Sequence, residues 1–251
     1  MDLKDKIVVV TGGATGIGRA AAICCARAGA RVIIGDIADT EMEETVRQVE
    51  VDDGLITAIH TDIASSDDVE RLMDTAAGES GRIDVLINCA GVLEGPFVPL
   101  EDFDLATYER VIDINLKGSF LAAKNAAKYM QKHGRGVVIL ISSGAGVTGG
   151  SSSVAYASSK GGVHGLYLVL RGQLQEHGIR VHCICPGGIS TPLKLRVVQA
   201  DADKTEGTDL ERSEEFNRQA EALGDPMGVG KILAFLASDD AEYVRGTLHT
   251  R

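Results

Sequence analysis

The sequence predicts an α/β fold, a parallel sheet with helices on both faces. Apolar runs rich in Val and Ile alternate along the chain with amphipathic stretches, and each run is apolar throughout rather than at every second residue. Strands buried on both faces by helices read in this way. Glycines punctuate the alternation, where a strand turns into a helix or a helix stops.

The first run, Ile7-Val8-Val9-Val10, leads through a helical segment from Ala14 to Ala28 into a second run, Arg31-Val32-Ile33-Ile34. Together they make a β-α-β unit. Further strands are expected at Leu55–His60, Val85–Asn88, Val137–Ile141 and Arg180–Ile184, with helices at Asp67–Ala77, Ala106–His133 and Val154–His177. Gly29 after the first helix, Gly134 and Gly136 after the long one, and Gly178 before the sixth strand read as helix stops. The stretch from Ile189 to Asp225 breaks the rhythm. It is polar, helix-prone over Leu210–Leu223 and too long for an ordinary connection, so a functional insertion is expected there.

With 251 residues, 44% of them hydrophobic, the chain can bury one large core, and no linker, low-complexity tract or repeat divides it. One domain spanning 1–251 is expected. The start, Met1-Asp2-Leu3-Lys4-Asp5-Lys6, runs straight into a strand without the features of a signal peptide, and no apolar run reaches membrane-spanning length. A soluble cytoplasmic protein follows. The net charge of −11 and the absence of a basic run argue against nucleic acid as a partner. Cys24, Cys25, Cys89, Cys183 and Cys185 are all embedded in apolar sequence and read as reduced, buried thiols. Cys183 and Cys185 share a strand face but lack a second ligand pair, so no metal site is read from them.

Two ends of a site are legible. Thr11-Gly12-Gly13-Ala14-Thr15-Gly16-Ile17-Gly18 lies between the first strand and first helix. Glycine there lets the backbone approach a pyrophosphate, which the helix N-terminus then faces with free N–H groups. Asp36 ends the second strand about 20 residues further on, where a carboxylate can accept both adenosine ribose hydroxyls and repels a 2′-phosphate. Neither Thr15 nor Ile37 offers a positive charge to reverse that preference, so NAD is expected over NADP.

At the other end, Tyr156 and Lys160 stand four residues apart in a helical segment and share a face. A phenol is a weak base at neutral pH, but a nearby ammonium and a cationic nicotinamide ring would lower its pKa, letting Tyr156 exchange a proton as a hydride moves. Ser143 follows the fifth strand, at the edge where ligands bind in an open parallel sheet, and its hydroxyl can hold a substrate oxygen. Asn115 is a polar residue in the middle of the long helix with no evident local reason to be there.

The glycine loop, Asn88-Cys89-Ala90-Gly91, Asn115, Ser143, Tyr156-x-x-x-Lys160 and Pro186-Gly187 fall in an order and at spacings that resemble the short-chain dehydrogenase/reductase family over nearly the whole chain. The resemblance implies a Rossmann-like, doubly wound parallel sheet and an alcohol dehydrogenase or ketone reductase. It implies Tyr156 as proton donor or acceptor, Ser143 as substrate clamp, Lys160 on the nicotinamide ribose and Asn115 as anchor of a water that relays protons through Lys160. Cofactor contacts are implied at Gly12, Thr15, Gly16, Ile17 and Gly18, at Asp62 and Ile63 for the adenine, at Asn88, Ala90 and Gly91 beside the ribose, and at Pro186, Gly187, Ile189 and Thr191 around the nicotinamide. The family's paired-helix interface maps onto the long helix and the Tyr156 helix, where Gly161, Gly162, Gly165 and Gly172 permit close approach, so a homodimer or homotetramer is expected.

Three positions depart from the family pattern. Cys89 stands where the family often has Asn, and His182 where an Asn commonly precedes the Pro-Gly turn. His182 reads as a satisfied core or edge histidine, the other reading being a pH-sensitive group near the cofactor. After Tyr243-Val244-Arg245-Gly246-Thr247 the sequence runs only Leu248-His249-Thr250-Arg251, so the last strand is expected to be cut short.

The Ile189–Asp225 segment is expected to form a lid over the substrate. Its nine acids against five bases disfavour a strongly anionic substrate. Leu93–Leu100 is expected to add apolar surface suited to an aliphatic, alicyclic or small aromatic group. The leading expectation is an NAD-linked dehydrogenase of a small or medium-sized secondary alcohol. Two alternatives stand beside it: a 3-oxoacyl carrier-protein reductase, for which Lys128, Lys132 and Arg135 could hold the carrier, and a dinucleotide-binding sensor or scaffold without turnover.

Overall fold

The computed structural model describes residues 1–250. Seven strands, β1 (Ile7–Thr11), β2 (Arg31–Asp36), β3 (Leu55–His60), β4 (Val85–Asn88), β5 (Gly136–Ile141), β6 (Ile179–Cys185) and β7 (Thr247–His249), form one sheet in the order β3-β2-β1-β4-β5-β6-β7. Every neighbouring pair is parallel. The strand order reverses between β1 and β4, which opens a crevice at the carboxyl ends of the strands.

Successive side chains of each strand point to opposite faces, so the continuous Val/Ile runs feed two cores. Val8, Val10, Val32 and Ile34 face α1 (Gly16–Arg27), and α10 (Pro226–Ala237) completes that layer. Ile7, Val9 and Ile33 face α3 (Ser66–Ala77), while α5 (Gly118–His133) and α7 (Val154–Gln175) complete the other. Cys183 and Cys185 belong to this second core, and all five cysteines are free thiols.

Several elements differ from the sequence expectation for physical reasons. β3 has the expected bounds, but as an edge strand it leaves Leu55 65% exposed rather than buried on both faces. Asp39–Glu50, which the apolar alternation did not single out, is a helix (α2) that buries only Met42, Thr45 and Val49 and is otherwise polar. Gly136 opens β5 instead of stopping a helix. The expected long helix is split into α4 (Leu105–Ile112), a π-helical turn at Asp113–Lys117, and α5. The last strand, by contrast, is short as expected, with only Thr247, Leu248 and His249 opposite Cys183, Ile184 and Cys185.

The segment after β6 is a closed excursion. Ser190 N–H donates to the Gly224 carbonyl and Gly224 N–H to the Gly188 carbonyl, both at 2.8 Å, which pins its two ends together. Between them lie α8 (Pro192–Ala202) and α9 (Asp209–Glu221). Thr208 starts α9 with a capping box in which Glu211 returns the hydrogen bond. Among the described residues no helix is long and apolar enough to cross a membrane.

Candidate active site

A cleft of about 550 Å³ opens at the carboxyl ends of the strands, running from Asp36 past the glycine loop to Ser143 and Tyr156. Its dinucleotide end is shaped by the absence of side chains. A Cβ on Gly12 would come within 2.6 Å of the Ala90 backbone N, and one on Gly18 would collide with the Gly12 carbonyl. Gly12 and Gly16 take left-handed φ values of 68° and 54°, which favour glycine. Thr15 precedes α1 without capping it by its side chain, so the first N–H groups of that helix stay free to face an anion.

Asp36 is held rigidly at the end of β2. Its carboxylate accepts hydrogen bonds from the N–H groups of Ala14 (3.0 Å), Ile37 (2.8 Å) and Ala38 (3.2 Å). Asp62 and Ile63, beyond β3, line the same end of the cleft, as do Ile17, Ala90, Gly91, Pro186, Gly187, Ile189 and Thr191 along its length. These groups fit an adenine dinucleotide: a bare backbone cradle for phosphates beside a carboxylate placed for ribose hydroxyls.

At the other end, α7 begins at Ser153, which is buried. Its hydroxyl accepts from Tyr156 N–H (3.3 Å) and donates to the Glu94 carbonyl (2.6 Å), tying the start of the helix to the loop opposite. Tyr156 and Lys160 both line the cleft, with the Lys160 ammonium 5.8 Å from the Tyr156 ring centre. Ser143, at the end of β5, caps the short helix α6 (Gly144–Val147) and faces the same space.

The electrostatics differ from the sequence argument. Burial pushes the Tyr156 phenol above its ordinary value, the Ser143 hydroxyl acting in the opposite direction. The Lys160 ammonium donates to the Ile141 carbonyl at 2.8 Å. Burial in turn pulls Lys160 down to about 8.

Asn88 and Asn115 do not line the cleft. Asn115 is fully buried in the π turn, where its carboxamide exchanges two hydrogen bonds with the Val92 backbone (2.8 and 2.9 Å) and donates a third to Ser159 (2.9 Å). It ties the exit of β4 to α7, and the extra residue of the π turn gives it room to do so. Asn88 accepts from Thr11 Oγ1 (2.7 Å) and donates to Ser119 Oγ (2.8 Å), which donates to the Asn115 carbonyl. One buried polar chain thus links the end of β1 to the helix that carries Tyr156.

Other expectations need correction. His182 is 1% exposed and among the described residues neither ring nitrogen has a partner, so it is buried without the hydrogen bonds expected of a satisfied histidine; burial, with Arg180 and Arg245 adding to it, drives it down to about 4. Of Leu93–Leu100 only Leu93 reaches the cleft; Phe97 lies under the Lys204 ammonium and Leu100 is largely exposed. The acids of α9 are mostly solvated, Asp209 and Glu215 pairing with Arg212 and Arg218 one turn away, so the charge that the lid turns to the cleft is that of Lys194. Lys132 and Arg135 lie at the end of α5 and the start of β5, at the opposite edge of the sheet from the cleft, and Lys128 pairs with Glu70. The sequence reading missed Arg110, Lys194 and Thr148–Ser152 as cleft residues, because their positions follow from how two loops fold back over the strand ends.

The family model for short chain dehydrogenase matches residues 6–202. This chain belongs to the short-chain dehydrogenase family. A (+)-borneol dehydrogenase from Salvia officinalis is 35% identical over 97% of this chain and 87% of its own length. Cis-4-hydroxycyclohexanecarboxylate dehydrogenase of Sinomonas cyclohexanicum is 36% identical over 97% of this chain and 94% of its own. The crystal structure of levodione reductase superposes with a TM-score of 0.90 at 30% identity, covering 98% of this chain and 95% of that one. The seven-stranded sheet is therefore the Rossmann fold of short-chain dehydrogenases, oxidoreductases that bind NAD or NADP and act on alcohols and ketones.

Proposed function

We propose that this short-chain dehydrogenase transfers a hydride between NAD and a secondary alcohol or ketone of a small or medium-sized molecule, with Tyr156 as acid/base. The observation that carries the reading is one continuous cleft with Asp36 at one end and Ser143, Tyr156 and Lys160 at the other. The dinucleotide, when bound, supplies the ring carbon that accepts or returns the hydride. Gly12, Gly16 and Gly18 admit its phosphates, and Asp36 holds the adenosine ribose while disfavouring a 2′-phosphate.

Tyr156 Oη, as phenolate, takes the proton from the substrate hydroxyl during oxidation, and as neutral phenol it gives the proton to the carbonyl oxygen during reduction. Ser143 Oγ holds the same oxygen. Lys160, brought by burial to about 8, changes protonation near working pH, and its ammonium 5.8 Å from the ring favours the phenolate that Tyr156 needs as base. Asn115 acts as a positioning residue, through Val92 and Ser159 rather than by contact with substrate.

Beside the polar Arg110, Thr148, Ser151 and Ser152, the cleft has apolar and side-chain-free walls at Val92, Leu93, Ala145 and Leu193 with Gly144, Gly149 and Gly150. Among the described residues Tyr156 is the one aromatic residue lining it, so the space suits a compact alicyclic body better than a flat ring that needs stacking. The alicyclic compounds named for the borneol and hydroxycyclohexanecarboxylate dehydrogenases agree. A carrier-protein substrate is disfavoured, since the basic residues that would hold it stand away from the cleft. A sensor without turnover has no use for Ser143, Tyr156 and Lys160 in one cleft. Gly165, Leu168, Val169 and Gly172 form an open stripe on α7, with Leu168 and Val169 at least half exposed, and Phe120 is exposed on α5. This supports a homodimer or homotetramer through those helices.

A panel of alicyclic secondary alcohols, supplied with NAD or NADP and followed by absorbance of the reduced cofactor, tests the reading. NAD-linked oxidation of at least one of them is expected. Preference for NADP, or no turnover of any alcohol or the matching ketone, would overturn it.

A further inference from the structure

Lys194 lies in the first turn of α8 and lines the cleft, half-buried. Among the described residues its ammonium has no hydrogen bond and no ion pair, which sets it apart from the other cations of that wall. Lys160 donates to the Ile141 carbonyl, and Arg110 is paired with Glu94. Arg19, the basic residue next to the glycine loop, folds back onto the Ala14 and Glu41 carbonyls and Thr45. The glycine loop therefore offers an anion backbone N–H groups but no full positive charge of its own.

α8 starts against that loop. A Cβ built on Gly16 would lie 2.9 Å from Thr191 Cγ2 and 3.9 Å from Pro192 Cδ, so these two residues roof the phosphate cradle. Thr191 Oγ1 in turn accepts the Lys194 N–H at 3.2 Å and fixes the backbone from which the lysine stem springs. A flexible four-carbon stem gives the ammonium the reach to meet a ligand held in the roofed loop. Asp36 and Asp62 line the same cleft in a chain of net charge −11, so a ligand with two phosphate charges enters an unfavourable field unless a cation meets it.

We propose that Lys194 is the cation that pairs with the pyrophosphate of the dinucleotide, delivered from the lid. This rests on the cofactor reading given above. An ammonium half withdrawn from water without a partner is unfavourable, and the pyrophosphate supplies that partner.

The test is calorimetric titration of the full chain, of Lys194→Met and of Lys194→Arg, with ADP-ribose and separately with adenosine, each at low and high salt. Lys194→Met should bind ADP-ribose about ten-fold more weakly, in line with loss of one charge-assisted contact, and adenosine equally well. The salt dependence of ADP-ribose binding should flatten in the same variant, and Lys194→Arg should restore both. Equal ADP-ribose affinity for wild type and Lys194→Met would overturn the pairing while leaving the cofactor reading intact. So would an effect confined to the KM of a carboxylated alcohol, which would assign Lys194 to substrate. A wild type that binds neither ADP-ribose nor NADH would overturn the cofactor reading and the pairing with it.

Discussion

Replacing His182 by Leu should remove much of the sensitivity of this protein to mild acid. The imidazole is buried on β6 opposite Ile139 of β5, and among the described residues neither nitrogen has a hydrogen-bond partner. Its folded-state pKa is lowered from 6.5 to about 4 by burial and, secondarily, by Arg180 and Arg245. Between those two values the unfolded chain takes up a proton that the folded chain refuses, so stability is lost as pH falls below 6.5. The difference amounts to about 2 kcal/mol on going from pH 7 to pH 5, and approaches about 3 kcal/mol below the folded pKa. At pH 7 the Leu variant should match or exceed wild type by about 1 kcal/mol, because two unsatisfied buried nitrogens are gone. Urea unfolding at pH 7 and pH 5 gives the four free energies required. If wild type and the variant lose the same stability between the two pH values, the imidazole is either hydrated or partnered in solution and the reasoning fails.

The double substitution Asp36→Ser with Ile37→Arg should move cofactor preference to NADP, since it removes the carboxylate that repels a 2′-phosphate and adds a guanidinium where Ile37 is 62% exposed. The ratio of kcat/KM for the two cofactors should change by about 100-fold or more, and an unchanged ratio would remove Asp36 from the selectivity argument. Gly91→Ala should lower kcat by about ten-fold or more with little change in melting temperature, because its Cβ would sit 3.1 Å from Asn115 Oδ1 and 3.4 Å from Lys160 Nζ. A variant with normal kcat would show that this wall can give. With burial raising Tyr156, kcat/KM for alcohol oxidation should climb as pH rises and that for ketone reduction should fall. Profiles flat from pH 6 to 10 would exclude both Tyr156 and Lys160 from the proton transfer.

The sheet was largely legible because its signal is local. Val85–Asn88 and Leu55–His60 have the bounds that their apolar runs suggest, and the glycine loop sits between β1 and α1 as its spacing requires. Helix α2 was not, since it packs only three side chains and its polar face resembles a connection. The π turn escaped for a different reason. Asp113–Lys117 reads as ordinary helix, and it widens where Asn115 reaches across to Val92 and Ser159, contacts 23 and 44 residues away. The same holds for the charge at the cleft. Counting acids and bases over the lid gave a negative segment, whereas folding turned the acids of α9 outward and one lysine inward. His182 failed because its lack of partners is a property of the elements packed around β6, which no local pattern encodes.

Tyr156→Phe tests the central claim most directly. The change removes one oxygen at the end of the cleft and leaves the glycine loop and Asp36 untouched. The variant should bind NADH as tightly as wild type and lose turnover of the best alcohol by about 1,000-fold, the scale of a lost acid/base group. Turnover within a few-fold of wild type, with NADH binding intact, would contradict the assignment of the proton transfer to Tyr156.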